Sequence, residues 1–152
     1  LGHERMGSGA VGASRREMAA LRALAAREMK NGRPLLQDPR FRDRLSRVEI
    51  ELDALELTSM RFLDKMRRTG QPPGADVSML KIRGTEIQQA LTELMMQAVG
   101  PRAHPFVALD GGAVDPLASR LAPRYFNYRK TSIYAGSNEI QRNIIAKMTL
   151  GL

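Results

Sequence analysis

The stretch "YAGSNEIQR", residues 134–142, places a glycine turn directly before a helical run. A helix start offers unpaired backbone N–H groups and the positive end of the helix dipole, so the turn at Gly136, Ser137 and Asn138 suits a bound anion or phosphate. The same residues also make an ordinary helix start, with Ser137 or Asn138 as the cap and Glu139 favourable in the first turn. Both readings stand on these residues alone. Metal chemistry has little to work with: there is no cysteine, and the two histidines, His3 and His104, are too far apart to suggest a zinc site. No metal is expected.

A turn of this kind needs elements that hold it in place, and apolar spacing predicts three long helices and one shorter one. The first runs from about Gly2 to Met29, with Met18, Leu21, Ala25 and Met29 on one stripe and Gly32 as its stop. Glycines destabilise a helix by roughly 1 kcal/mol each, so those in "MGSGAVGAS" suggest close approach by another backbone or a ligand. The second helix opens at "QDPRF", with Asp38 as cap and Pro39 at the first helical position, and continues to about Thr69. Leu45, Val48, Leu52, Leu55, Phe62 and Met66 repeat along it at coiled-coil-like spacing.

"TGQPPGAD" then breaks the chain. Asp76 or Ser78 opens the third helix, Leu80, Ile87, Leu91 and Leu94 form its buried stripe, and "AVGPRAHP" stops it. Residues 101–135 make a long connection with "DGGAVDP" as an exposed turn and "ASRLAPRYFNYRKTS" as the place for a short helix. The last helix follows Gly136 and ends at "LGL". The expected fold is all-α, an up-and-down four-helix bundle with a long connection before the last helix.

With 152 residues, one domain is expected. The chain opens at "LGHERMG", without an initiator Met and already inside a helical pattern, so a fragment of a longer protein is expected. No apolar run approaches the roughly 20 residues that cross a bilayer, and the first residues lack a signal-peptide layout. Absence of cysteine fits a reducing cytosol, and a cytoplasmic location is expected. The net charge of +8 raises nucleic acid as a partner. Against it, the arginines lie beside acids, as in "RDRLSRVEIELDALE", and aromatics are 5% of the chain with no aromatic-basic interleaving. A solvated charged face is the expectation, and a basic bundle that binds partners or nucleic acid is the rival.

"IYAGSNEIQRNIIAKMTLGL" resembles the C-terminal signature of the acyl-CoA dehydrogenases, flavoproteins of acyl-CoA oxidation. "LGHERMGSGAVG" is similar to the start of that family's C-terminal domain, "NGRPLLQDPRFRDRLSRVEIELDALEL" to its second helix, and "ELMMQAVG" to the end of its third. The resemblance covers residues 1–152 as that domain, without the family's N-terminal helical and middle β domains. It implies FAD as cofactor, an acyl-CoA as substrate, and assembly as a homo- or hetero-tetramer. It also implies a reaction in which a carboxylate takes the α-proton of the thioester while the β-hydrogen leaves as hydride to flavin N5. A non-catalytic subunit of a hetero-oligomer is the alternative within the family.

Some family members place the base directly after the tyrosine of the terminal motif, where this chain has Ala135. Others supply it from the first helix just before an arginine, which maps onto Glu4, with Arg5 beside it toward the substrate. A single carboxylate avoids the repulsion of two meeting at one α-carbon. The resemblance further assigns Gly136 and Ser137 to the flavin or its phosphates, Glu139 to the adenosine part, and Gln97 and Gly100 to the FAD of a neighbouring subunit. Two regions depart from the family pattern, around Glu28 to Gly32 and from Pro101 through "PRAHPF". Pro101 replaces a second glycine, and Glu28 stands where an arginine usually precedes a phenylalanine-glycine pair, here Asn31-Gly32. Arg27 or Arg33 is then the candidate for the pyrophosphate. Tyr134 either packs with its hydroxyl at the rim or lines the acyl pocket, and Arg129 braces the loop before the motif.

Overall fold

The computed structural model describes residues 10–71, 74–75, 77–104 and 118–151. Five α-helices fall among them: α1 (Val11–Arg27), α2 (Pro39–Thr69), α3 (Val77–Val99), α4 (Ala118–Arg129) and α5 (Asn138–Leu150). The all-α expectation holds, and the short helix expected within the long connection brings the number among the described residues to five. That short helix is α4, which occupies part of the connection and keeps Pro123 inside it at the loss of one backbone bond.

The first helix ends earlier than its spacing predicts. Met29 does not continue the buried stripe; it is 62% exposed and opens a hairpin. Strands β1 (Met29–Lys30) and β2 (Arg33–Pro34) pair antiparallel across Asn31 and Gly32, which adopt φ of 52° and 76°. An Asn-Gly pair with both φ positive is the favoured two-residue hairpin turn, and this local preference overrides the apolar periodicity. At Gly12 a Cβ would meet nothing closer than Arg16 Nη1 at 3.8 Å, so no other backbone among the described residues approaches it closely. The other glycines of that stretch, Gly2, Gly7 and Gly9, and the "DGGAVDP" turn lie outside the described residues.

The start of α2 follows its sequence signals. Asp38 Oδ1 accepts from the backbone N–H groups of Arg40 and Phe41 at 3.0 Å each, and Pro39 takes the first helical position. Gly70 closes the helix in a left-handed conformation at φ 64°. Leu45, Leu52 and Leu55 are buried, and Val48 and Phe62 pack against the core at its edge.

The central element is α3, which packs against all four other helices. Its burial runs round the whole helix and not along one stripe: Val77, Leu80, Ile82, Ile87, Leu91, Leu94 and Met95 are buried together with Lys81, Thr85 and Thr92. Full burial of a leucine such as Leu80 or Leu91 contributes about 1.5–3 kcal/mol, and a helix surrounded by neighbours collects that on every side. Polar residues there must find partners. Those partners belong to the connection that carries the 134–137 turn.

Candidate functional site

The approach to the turn begins with a 3₁₀ stretch, Lys130–Ser132, at the end of α4. Ile133, Tyr134, Ala135 and Gly136 follow, all exposed. Ala135 has φ 55° and Gly136 φ 83°. The left-handed region is costly for a residue with a Cβ, and a small alanine is better tolerated there than a branched or bulky residue. Gln141, 1% exposed, folds back beneath this turn, and its Nε2 donates to the carbonyls of Ala135 and Gly136 at 3.4 Å each. A Cβ at Gly136 would lie 2.6 Å from that Nε2, so glycine is required by space as well as by φ.

Ser137 is the cap of α5, its Oγ accepting from the Ile140 N–H at 3.4 Å. Asn138, the other candidate, is buried and turned toward α3 instead. Glu139 is exposed at the helix mouth. Its carboxyl is held below the usual carboxylate range first by its own backbone N–H, then by the Ser137 hydroxyl, with Arg142 and Lys81 adding attraction. The helix start is thus capped internally, with Glu139 exposed at its mouth.

Four positions on α3 grip this connection. Lys81 Nζ donates to Asn138 Oδ1 at 2.8 Å, and Thr85 Oγ1 lies 3.3 Å from Oδ1 and 3.2 Å from Nδ2 of the same side chain. Gln89 Nε2 donates to the carbonyls of Tyr128 and Arg129, at 3.3 and 3.2 Å, and to the hydroxyl of Ser132 at 3.1 Å. Arg129 Nη2 donates back to the Gln89 carbonyl at 2.8 Å and reaches Thr92 Oγ1 at 3.3 Å, while its guanidinium lies 4.4 Å from the Tyr125 ring centroid. Arg129 therefore braces the loop as expected. Lys81, Thr85 and Gln89 were not foreseen. Burial lowers the Lys81 pKa, and the Glu139 carboxylate opposes that shift.

Gln97 and Gly100 sit at the opposite end of α3, where they line a polar groove of about 590 Å³. Arg40, Arg44 and Arg102 line it as well, with Lys30, Glu28 and Asp38. Gln97 Oε1 accepts from Arg44 Nη1 at 2.7 Å and its Nε2 donates to Glu93 Oε1 at 3.1 Å. Glu28, the acid at the expected arginine position, pairs with Arg102, which brings a guanidinium to the same place from a distant part of the sequence. Arg27 and Arg33 are exposed and do not line this groove. Three guanidiniums and an ammonium around one groove form a donor set suited to phosphate oxygens. Linear spacing could not have shown it, because the start of α2 and the 3₁₀ stretch Gly100–Ala103 meet only in the fold.

The described residues form no cluster of histidine, cysteine or carboxylates able to hold a metal, and no described helix is long and apolar enough to cross a membrane. Glu4 and Arg5 lie outside the described residues. The other candidates fall into two groups: Tyr134, Gly136, Ser137 and Glu139 at one end of α3, and Gln97 and Gly100 at the other. Lys81 and Gln97 are separated by about 24 Å along the helix axis at 1.5 Å per residue. One chain does not bring the two groups together.

The family model of the acyl-CoA dehydrogenase C-terminal domain matches residues 1–150. The chain belongs to this family. The acyl-CoA dehydrogenase IpdE1 of Mycobacterium tuberculosis is 35% identical over 115 residues, which is 76% of this chain and 27% of that protein. The chain thus spans about a quarter of the length of that acyl-CoA dehydrogenase. Among solved structures, the FAD complex of PigA superposes with a TM-score of 0.71 at 25% identity, over 93% of this chain and 34% of that one. The ChsE4-ChsE5 complex from Mycobacterium tuberculosis gives a TM-score of 0.71 at 24% identity, over 91% of this chain and 35% of that one. The helical arrangement described above is therefore that of the acyl-CoA dehydrogenase C-terminal domain, and flavoprotein structures share it.

Proposed function

We propose that this chain is the C-terminal domain of a FAD-dependent acyl-CoA dehydrogenase that introduces an α,β double bond into an acyl-CoA thioester. The observation that carries this is the open, left-handed Ala135-Gly136 turn at the capped start of α5, in a chain matched by the family model from residue 1 to 150. Gly136 and Ser137 border the flavin or its phosphates, and Glu139 reaches its adenosine part. FAD, when bound, would supply the acceptor for the β-hydride. Ala135 cannot act as a base, and the family resemblance assigns that role to Glu4, which takes the α-proton, with Arg5 assigned to substrate binding.

Gln97, Gly100 and the arginines of the polar groove serve the FAD of a neighbouring subunit, since they stand at the far end of α3 from the Gly136 turn. Arg40, Arg44 and Arg102 are better placed for its phosphates than Arg27 or Arg33, because they converge on one groove. This division favours an oligomer in which each cofactor meets two chains, a homotetramer or a hetero-tetramer. Tyr134, more than half exposed, faces out of the chain and is available to the acyl group.

The test uses the chain together with its upstream domains. A visible flavin band that bleaches on addition of acyl-CoA is expected, with turnover lost in Glu4→Gln. A colourless protein refutes the proposal. Full turnover in Glu4→Gln removes the base from this chain and assigns it to a partner, the non-catalytic-subunit alternative.

A further inference from the structure

The 133–136 segment buries none of its own side chains, and among the described residues Gln141 alone reaches up to its Ala135 and Gly136 carbonyls, at 3.4 Å each. All four residues are exposed, and Ala135 is in a conformation its Cβ disfavours. Its position is set by its two flanks, and one face of α3 holds both. Gln89 holds Ser132 and the last carbonyls of α4 before the turn, while Lys81 and Thr85 hold Asn138 after it. Residues 81, 85 and 89 repeat every four positions and so lie one above another on a helix.

Lys81 is the anomaly on that face. Its side chain is 2% exposed, a burial that lysine rarely shows. Its ammonium stands at the start of α5, the positive end of that helix, where another cation is unfavourable. A methionine would fill much the same volume without desolvating a charge, and Thr85 already offers Asn138 a hydroxyl. Stability alone therefore does not account for the charge. What the ammonium adds is a short charge-assisted bond of 2.8 Å, stronger and more directional than a neutral one, to the first residue of α5. Glu139, exposed one residue further on, offsets the charge from outside.

We propose that Lys81 is a positioning residue: its tie to Asn138 fixes the first turn of α5 and thereby sets where the Gly136-Ser137 edge stands. This rests on the reading of that edge as a flavin contact.

The experiment measures FAD affinity by reconstitution of the apo-protein carrying its upstream domains, for wild type, Lys81→Met, Asn138→Ala and the double variant. Losing a charge-assisted bond should weaken FAD binding by at least about tenfold in each single variant. The double variant should be no weaker than the worse single, because both changes remove the same bond. Amide exchange of residues 134–141 should accelerate, while that of α2 stays as in wild type. Thr85→Val removes only the neutral contact to Asn138 and should weaken FAD binding less than Asn138→Ala does. Wild-type affinity in Lys81→Met, additive losses in the double variant, or a loss in Thr85→Val as large as that in Asn138→Ala overturns the proposal. The Thr85 and Asn138 variants decide it even if Lys81→Met fails to fold. A wild-type protein that takes up no FAD refutes the flavin reading itself, a result distinct from flavin binding that ignores Lys81.

Discussion

Gln89 and Arg129 hold each other in both directions: the Gln89 amide donates to the Arg129 carbonyl at 3.2 Å, and the Arg129 guanidinium donates to the Gln89 carbonyl at 2.8 Å. The last carbonyls of a helix have no partner within it, and Gln89 supplies one for two of those in α4. The bracket joins the middle of α3 to the end of α4. Gln89→Leu leaves those carbonyls without their donor and should destabilise the domain by about 1–3 kcal/mol. Denaturant unfolding measures this, and a double cycle with Arg129→Met should show losses well short of additive. Full additivity would mean that the two residues act independently.

The 135–136 turn gives a pair of opposite expectations. Ala135→Gly relieves a left-handed alanine and should stabilise the fold by about 1 kcal/mol. Gly136→Ala brings a Cβ to 2.6 Å from the buried Gln141 amide and should destabilise it. Midpoints in urea for the two variants should shift in opposite directions, and a shared direction contradicts the conformation described.

Asp38 ties stability to pH. The Lys30 ammonium, followed by the Phe41 N–H and then the Arg40 N–H, holds its carboxyl below the ordinary carboxylate value. A carboxyl depressed in the folded state contributes stability that is complete above its unfolded pKa, about 4, and is lost as pH falls through the lower folded value. Asp38→Asn keeps an acceptor oxygen for the α2 cap but cannot titrate. Its melting temperature between pH 5 and 2 should therefore fall less steeply than that of wild type. Parallel curves would show that Asp38 is not linked to folding.

Ile50, Leu57, Met60 and Leu63 stand exposed on α2, and Ile140, Met148 and Leu150 on α5. Apolar groups gathered on helix faces favour association over solvation. The 152-residue chain purified alone should self-associate in sedimentation velocity and show no acyl-CoA-dependent dye reduction. A monomer at high concentration argues against buried faces, and dye reduction argues against the need for the upstream domains.

Helix starts and stops were legible where local chemistry decides them. Asp38-Pro39 opens α2 and Gly70 ends it as their types require, and Ser137 caps α5. Met29 was misread because helical apolar spacing ran up to a residue that the Asn31-Gly32 turn pulls into a hairpin. The stripe on α3 was legible for Leu80, Ile87, Leu91 and Leu94, but not the polar face opposite, since a buried Lys81 looks like a surface lysine until the helices around it are placed. Gly136 and Ser137 were visible as a motif. The arginine groove was not, because Arg102 is remote in sequence from the Arg40 and Arg44 pair and joins it only where α2 begins and α3 ends.

The separation of the Gly136 turn and the Gln97 groove along α3 has a genetic consequence. If every flavin is shared between two chains, a chain damaged at Gly136 and a chain damaged at Gln97 are each inactive as homo-oligomers. Mixed together, they form contacts in which the intact end of one meets the intact end of the other. Co-expression of the two defective alleles should restore part of the activity that neither has alone, whereas two lesions placed at the same end should not complement.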